Sequence, residues 1–203
     1  MNYRHFASLA VALLLGLSAD AQPGSKETMA NLNAAHLGEA NAQLRYLVFA
    51  RTADAAGYAQ VAKLFRAASV AEATHEYTHM GAIMNLGGQV EASALDAVKP
   101  GTTVANLKQV VAGESYERDT MYPRYLKLAE AENAHEAVRS FGFAMAVEKQ
   151  HAVLFAEALA QLGKNPPVDY FVCPGCGTTT TGAPAKGQCP TCKNPTAKYV
   201  NVL

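Results

Sequence analysis

The chain has 203 residues, half of them apolar, with 17 lysines and arginines against 17 aspartates and glutamates. That length holds one substantial core and a small satellite. A net charge of zero removes the basic surplus of a nucleic-acid binder and the acidic surplus of a solvating tail.

Residues 1–21 read as a signal peptide. Arg4 lies in a short n-region, Phe6 to Leu17 is an apolar run, and Ala19-Asp20-Ala21 offers a small-x-small cleavage site before Gln22. The run is too short for a comfortable membrane span. The expected mature protein is exported, most simply to the periplasm, and carries no membrane segment.

Four long helical patterns follow, near residues 26–54, 58–86, 103–131 and 133–162. Gly57 marks the first break, Gly87-Gly88 ends the second helix, and Thr102 or Thr103 caps the third. The connection 87–102 is long enough to run the height of a bundle, which fits two helix pairs joined by one crossover. Pro123 falls inside the third pattern, where it predicts a kink. An internal repeat supports the division. Asn31-Leu32…Gly38-Glu39 returns as Asn106-Leu107…Gly113-Glu114, and in each half a Glu-x-x-His pair follows on the next helix, as Glu72/His75 and Glu148/His151.

Each of these groups sits inside an apolar stripe. At about 100° per residue, Leu32, Ala42 and Tyr46 share the face of Glu39, and Val61, Phe65 and Ile83 share that of Glu72 and His75. Leu107, Val110 and Tyr125 accompany Glu114 with Glu117 one turn on, and Phe141, Ala144 and Phe155 flank Glu148 and His151. Solvated glutamates on imperfect helices are the ordinary reading of one such acid. Five acids and two histidines in register on four helices are a different matter, because buried carboxylates are untenable without cations. Carboxylate with imidazole suits iron or manganese. Glu132-x-x-His135 has the same spacing but is rotated by about 160° from Glu148 and His151, so it faces outward. Glu76-x-x-His79 stays near the Glu72 face; His79 reads as a supporting or surface histidine, and His36 as packing. Tyr46 and Tyr122 are placed to give their hydroxyls to ligand carboxylates, or to serve as ordinary core tyrosines.

After Leu162 the composition turns to Gly, Pro, Thr and Cys, giving a bundle over 22–163 and a second domain over 164–203. That tail is too small to fold on an apolar core alone. Two Cys-x-x-Cys knuckles, Cys173/Cys176 and Cys189/Cys192, bring four thiolates together for iron or zinc, with two disulfides as the alternative in an exported protein. Tyr170, Phe171 and Tyr199 form its expected apolar cap.

These motifs together resemble the rubrerythrin family. They are Gly38-Glu39…Arg45-Tyr46, Glu72-x-x-His75, Gly113-Glu114-x-x-Glu117…Met121-Tyr122-Pro123, Glu148-x-x-His151 and the four cysteines. The resemblance covers residues 26–203 and implies a mainly α fold, a ferritin-like four-helix bundle with a small C-terminal rubredoxin-like domain that holds metal on four cysteines. It implies two irons on Glu39, Glu72, His75, Glu114, Glu117, Glu148 and His151, one of them shifting between Glu117 and His75, and a third iron (or zinc) on the cysteines. The implied activity is an NADH-linked type of peroxidase that reduces hydrogen peroxide to water with electrons relayed through the thiolate-bound iron. Members are commonly head-to-tail homodimers in which one subunit's rubredoxin-like domain approaches the other's di-iron site. A ferroxidase or iron-binding bundle with structural zinc in the tail is the rival reading, and a zinc-ribbon interaction module is a third. The chain departs from the family in its leader, in Ala71 where asparagine is more common, and in His36 where an aromatic is common.

Overall fold

The computed structural model describes residues 25–203, so the signal-peptide reading of residues 1–21 lies outside them. No described helix is long and apolar enough to cross a membrane. Helix α1 (Lys26–Ala55) begins where the Ser25 hydroxyl accepts the Thr28 amide, satisfying one of the free N–H groups of the first turn. It turns through Gly57, at a positive φ of 80°, into α2 (Ala59–Asn85). The long connection then climbs alongside α1. Asn33 Oδ1 accepts the Glu91 amide at 2.8 Å, and Asn41 Oδ1 accepts the Asp96 amide at 2.7 Å. This is the expected crossover, and two asparagine side chains pin its unpaired backbone.

Thr102 caps α3 (Thr103–Tyr116), its hydroxyl accepting from the Ala105 amide. The expected kink at Pro123 takes another form. Residues Glu117–Met121 widen into a π-helical turn, closed by the Tyr122 amide on the Glu117 carbonyl, and α4 (Tyr122–Ala131) continues with Pro123 in its first turn. Proline lacks an N–H and crowds the carbonyl four residues back, so a widened turn ahead of it relieves both problems without breaking the helix. A left-handed turn at Asn133 leads to α5 (His135–Ala160).

Two apolar clusters fill the bundle. One gathers Phe49, Phe65, Leu107 and Phe155; the other gathers Leu32, Ile83, Tyr122, Tyr125 and Phe141. The carboxylates occupy the layer between them. Beyond α5, β1 (Tyr170–Val172) lies between β2 (Thr179–Thr181) and β3 (Val200–Val202), antiparallel to both. The expected aromatic cap is only partly formed. Tyr199 packs against the cysteines together with Phe143 of α5, whereas Tyr170 joins Val172 and Val202 in the bundle core. The tail thus borrows apolar surface from the bundle, as so small a domain requires.

Candidate metal centre

Glu39 comes from α1, Glu72 and His75 from α2, Glu114 from α3, and Glu148 and His151 from α5. All six are buried. Their donor atoms form two groups, Glu39/Glu72/His75/Glu148 and Glu72/Glu114/Glu148/His151, each with its atoms within 4.8 Å of one another. Glu72 and Glu148 belong to both groups, which is the placement of two bridging carboxylates between two ions.

The hydrogen bonds fix which histidine nitrogen faces the centre. His75 Nε2 lies 3.2 Å from the Cys176 carbonyl, which only accepts, so Nε2 carries the proton. Thr179 gives its own hydroxyl proton to the Gly177 carbonyl at 3.0 Å, so its oxygen accepts from His151 Nε2 at 3.3 Å. Both imidazoles therefore turn Nδ1 toward the carboxylates. His75 Nδ1 is 2.8 Å from Glu72 and 3.0 Å from Glu148. His151 Nδ1 is 3.2 Å from Glu72, 3.2 Å from Glu148 and 3.6 Å from Glu114.

Six atoms at this point have no hydrogen-bond partner: Glu39 Oε2, Glu72 Oε1, Glu114 Oε2, both Glu148 oxygens and His151 Nδ1. Buried polar atoms are seldom left bare, so a cluster of bare ones marks a place for cations. Four carboxylates carry four negative charges, the complement of two divalent ions, and the mixed oxygen and imidazole donors suit iron or manganese. Without metal, protons take that place. Burial, then the Glu72 charge, lifts the Glu39 carboxyl to about 8, and burial with the neighbouring acids lifts Glu148 as well. Although burial opposes both shifts, the two imidazoles beside Glu72 take its carboxyl down to about 2, and the hydrogen bond to Glu72 raises His75 to about 9.

Tyr46 donates a hydrogen bond to Glu114, and Tyr122 donates one to Glu39. Each orients a carboxylate as its spacing suggested. Glu117 is not in either group. It sits on the π-helical turn, half-buried beside a cavity of about 190 Å³ that Arg45, Tyr46 and Gly113 also line. Burial and the charges of Glu39, Glu114 and Glu72 push its carboxyl well up. Glu132 and His135 lie outside the centre; the Glu132 carboxylate instead accepts the Thr28 hydroxyl at 2.6 Å. His36 is half-buried and its Nδ1 meets the Glu76 carbonyl at 3.1 Å. The sequence reading underrated His79, which is fully buried with Nε2 3.0 Å from the Tyr122 hydroxyl and Nδ1 2.8 Å from Ser140. Burial, with His75 and His36 nearby, holds its pKa well below the ordinary range, so it is neutral. Its position one turn after His75 was the available signal; nothing in the sequence pointed to Ser140.

The four cysteines are free thiols, which sets the disulfide alternative aside. Sulfur separations of 3.5 Å for Cys173–Cys192 and 3.6 Å for Cys176–Cys189 are far beyond a disulfide bond and match the edges of a tetrahedron around one ion. Cys192 alone of the four is partly exposed. Gly177, at a φ of +79°, lets this region approach the bundle: a Cβ there would lie 2.6 Å from His75 Nε2 and 3.2 Å from the Ala71 carbonyl. The chain's own four-cysteine region thus rests against its own carboxylate centre.

A family model described as Rubrerythrin matches residues 30–159. Rubrerythrin-2 of Clostridium acetobutylicum is 32% identical over 166 residues, which span 79% of this chain and 89% of that protein. The solved structure of nigerythrin in its fully reduced, all-ferrous state superposes with a TM-score of 0.76 at 29% identity, covering 99% of this chain and 100% of that one. A Rhodobacter capsulatus bacterioferritin shares the fold, with a TM-score of 0.64 at 22% identity over 70% of this chain and 89% of its own.

Proposed function

Because the chain belongs to the rubrerythrin family, we propose that it is a non-haem di-iron peroxidase that reduces hydrogen peroxide to water and is re-reduced through its four-cysteine centre. One observation carries this reading beyond iron binding. His75 faces the carboxylates with Nδ1 and donates from Nε2 to the Cys176 carbonyl, so one side chain joins the two centres. A bundle that only stored or oxidised iron has no use for such a link.

Two ferrous ions, if held by the six residues, would supply two electrons together for cleavage of the O–O bond. The protein supplies the rest. Glu72 and Glu148 would be shared by the two ions, Glu39 with His75 and Glu114 with His151 would complete one site each, and Tyr122 and Tyr46 hold Glu39 and Glu114 in place. Glu117, set apart while His75 is in place, is the carboxylate available to exchange with it. The cavity beside Glu117 and Tyr46 offers hydrogen peroxide an approach. Electrons from an NADH-linked donor enter the tail near Cys192. Export to the periplasm and a homodimer complete the reading.

Metal analysis with a visible spectrum, on protein purified without oxygen from an iron-replete source, tests it. Three irons per chain with a thiolate-to-iron band support an internal relay. Two irons and one zinc without that band would give the lead to the ferroxidase.

A further inference from the structure

Reduction of hydrogen peroxide to two waters consumes two protons along with two electrons, and the carboxylate centre where this takes place is buried between two apolar clusters. We propose that Ser140, His79 and Tyr122 form a proton path from an outer cavity to Glu39; the inference rests on the peroxidase reading above. The cavity, of about 340 Å³, lies between α2 and α5 and is lined by Thr78, Glu136, Arg139 and Ser140 among others. From it, Ser140 Oγ reaches His79 Nδ1 at 2.8 Å, His79 Nε2 reaches the Tyr122 oxygen at 3.0 Å, and Tyr122 donates to Glu39.

Counting protons gives the path a direction. The single hydroxyl proton of Tyr122 goes to Glu39, so the Tyr122 oxygen accepts, and His79 Nε2 must be the protonated nitrogen. The neutral imidazole then has Nδ1 free to accept, and the Ser140 hydroxyl fills it. Thr78 gives its own proton to the His75 carbonyl at 3.0 Å and so competes as an acceptor for the Ser140 hydroxyl, but at 3.3 Å against 2.8 Å to His79 Nδ1 the shorter bond is the one to the imidazole. Every bond therefore points from the cavity to the metal centre. A proton taken up by the Ser140 oxygen lets that hydroxyl pass its own to Nδ1. Nε2 then releases one to Tyr122, and Tyr122 gives one at Glu39. One proton enters for each that leaves, and rotation of the hydroxyls and the ring restores the starting arrangement. Phe141 beside the imidazole, with ring centres 5.6 Å apart, walls the path from the rest of the core.

His79→Gln separates relay from support. Glutamine can donate to Tyr122 and accept from Ser140 as histidine does, but it cannot take a proton on one atom and release one from the other. In the iron-loaded, reduced protein, His79→Gln should slow oxidation by peroxide at least ten-fold at unchanged metal content and enlarge the rate ratio between H2O and D2O. A rate equal to that of the unmodified protein would overturn the role in the reaction. The second readout needs no peroxide. In the full chain loaded with zinc and labelled with 15N-histidine, NMR should find His79 neutral with its proton on Nε2. Exchange of that proton with solvent should slow at least ten-fold in Ser140→Ala. A proton on Nδ1, or exchange as fast as in the unmodified chain, would overturn the path itself. If exchange slows as expected but peroxide is not reduced, the path stands and the peroxidase reading fails.

Discussion

Glu72 and Glu148 belong to both donor groups, whereas Glu39 with His75, and Glu114 with His151, each belong to one. The shared carboxylates should therefore be the costlier losses. Glu72→Ala is expected to empty both bundle positions and keep the thiolate-bound ion, while Glu39→Ala empties one; metal analysis per chain checks this, and equal losses would deny the bridging assignment. The protonation states give a second expectation for the metal-free chain. Glu39, at about 8, lies above the ordinary carboxylate value, so the folded chain holds a proton that the unfolded chain releases, and stability falls as pH rises toward 8. His75, at about 9, contributes stability that is complete below its unfolded pKa of 6.5 and is lost as pH rises through 9. Glu72, at about 2, loses its contribution only in acid and is constant in this window. Melting of the metal-free chain should thus drop on the order of 5 °C between pH 6.5 and 8. The metal-loaded chain should show the reverse trend, because metal binding requires those protons to leave.

At the level of elements, the repeat made most of the centre legible. The matching Glu helices and Glu-x-x-His helices placed Glu39, Glu72, His75, Glu114, Glu148 and His151 on inward faces, and the structure brings all six together. Helical spacing is a local property, so it survives without knowledge of the tertiary fold. Glu117 was not legible in the same way: it follows Glu114 by one regular turn, its amide still bonding the Gly113 carbonyl, yet its half-buried carboxylate stays outside both donor groups, and helical spacing does not encode where a long side chain ends. Pro123 signalled a disturbance but not its form. His79 and Ser140 were obscure for another reason: they meet across α2 and α5, and no spacing within one helix encodes that meeting. The π-helical turn also separates Glu114 from Tyr122. Five steps from Glu117 to Tyr122 make one widened turn where a regular helix uses about four, so deleting Thr120 should restore a regular helix with Tyr122 on the same side as before. Metal content in the bundle and helical circular dichroism should then both be retained; loss of an ion would show that the widened turn itself is needed at the centre.

Across the whole molecule, the sequence showed two metal domains but not how they meet. The docking rests on long-range contacts: Gln60 with Val168, Lys63 with Asp169 at 2.9 Å, and Arg66 with the Leu203 carbonyl at 2.8 Å. The resemblance implies that a partner's rubredoxin-like domain visits the centre, whereas in this structure the chain's own domain rests there. Carbodiimide joins Lys63 to Asp169 with no spacer, so a mixture of 15N-labelled and unlabelled protein reports the arrangement. Cross-linked peptides should be wholly heavy or wholly light, and mixed pairs would place the tail on a partner. On the proposed function, peroxide oxidises the bundle centre and the thiolate-bound iron then gives up its electron to it. Stopped-flow mixing of the reduced, iron-loaded chain with one equivalent of hydrogen peroxide tests this most directly. The thiolate-to-iron band of the oxidised four-cysteine centre should appear as peroxide is consumed, at least ten-fold faster than with the same concentration of dioxygen. A band unchanged by peroxide, with dioxygen the faster oxidant of the bundle iron, would contradict it.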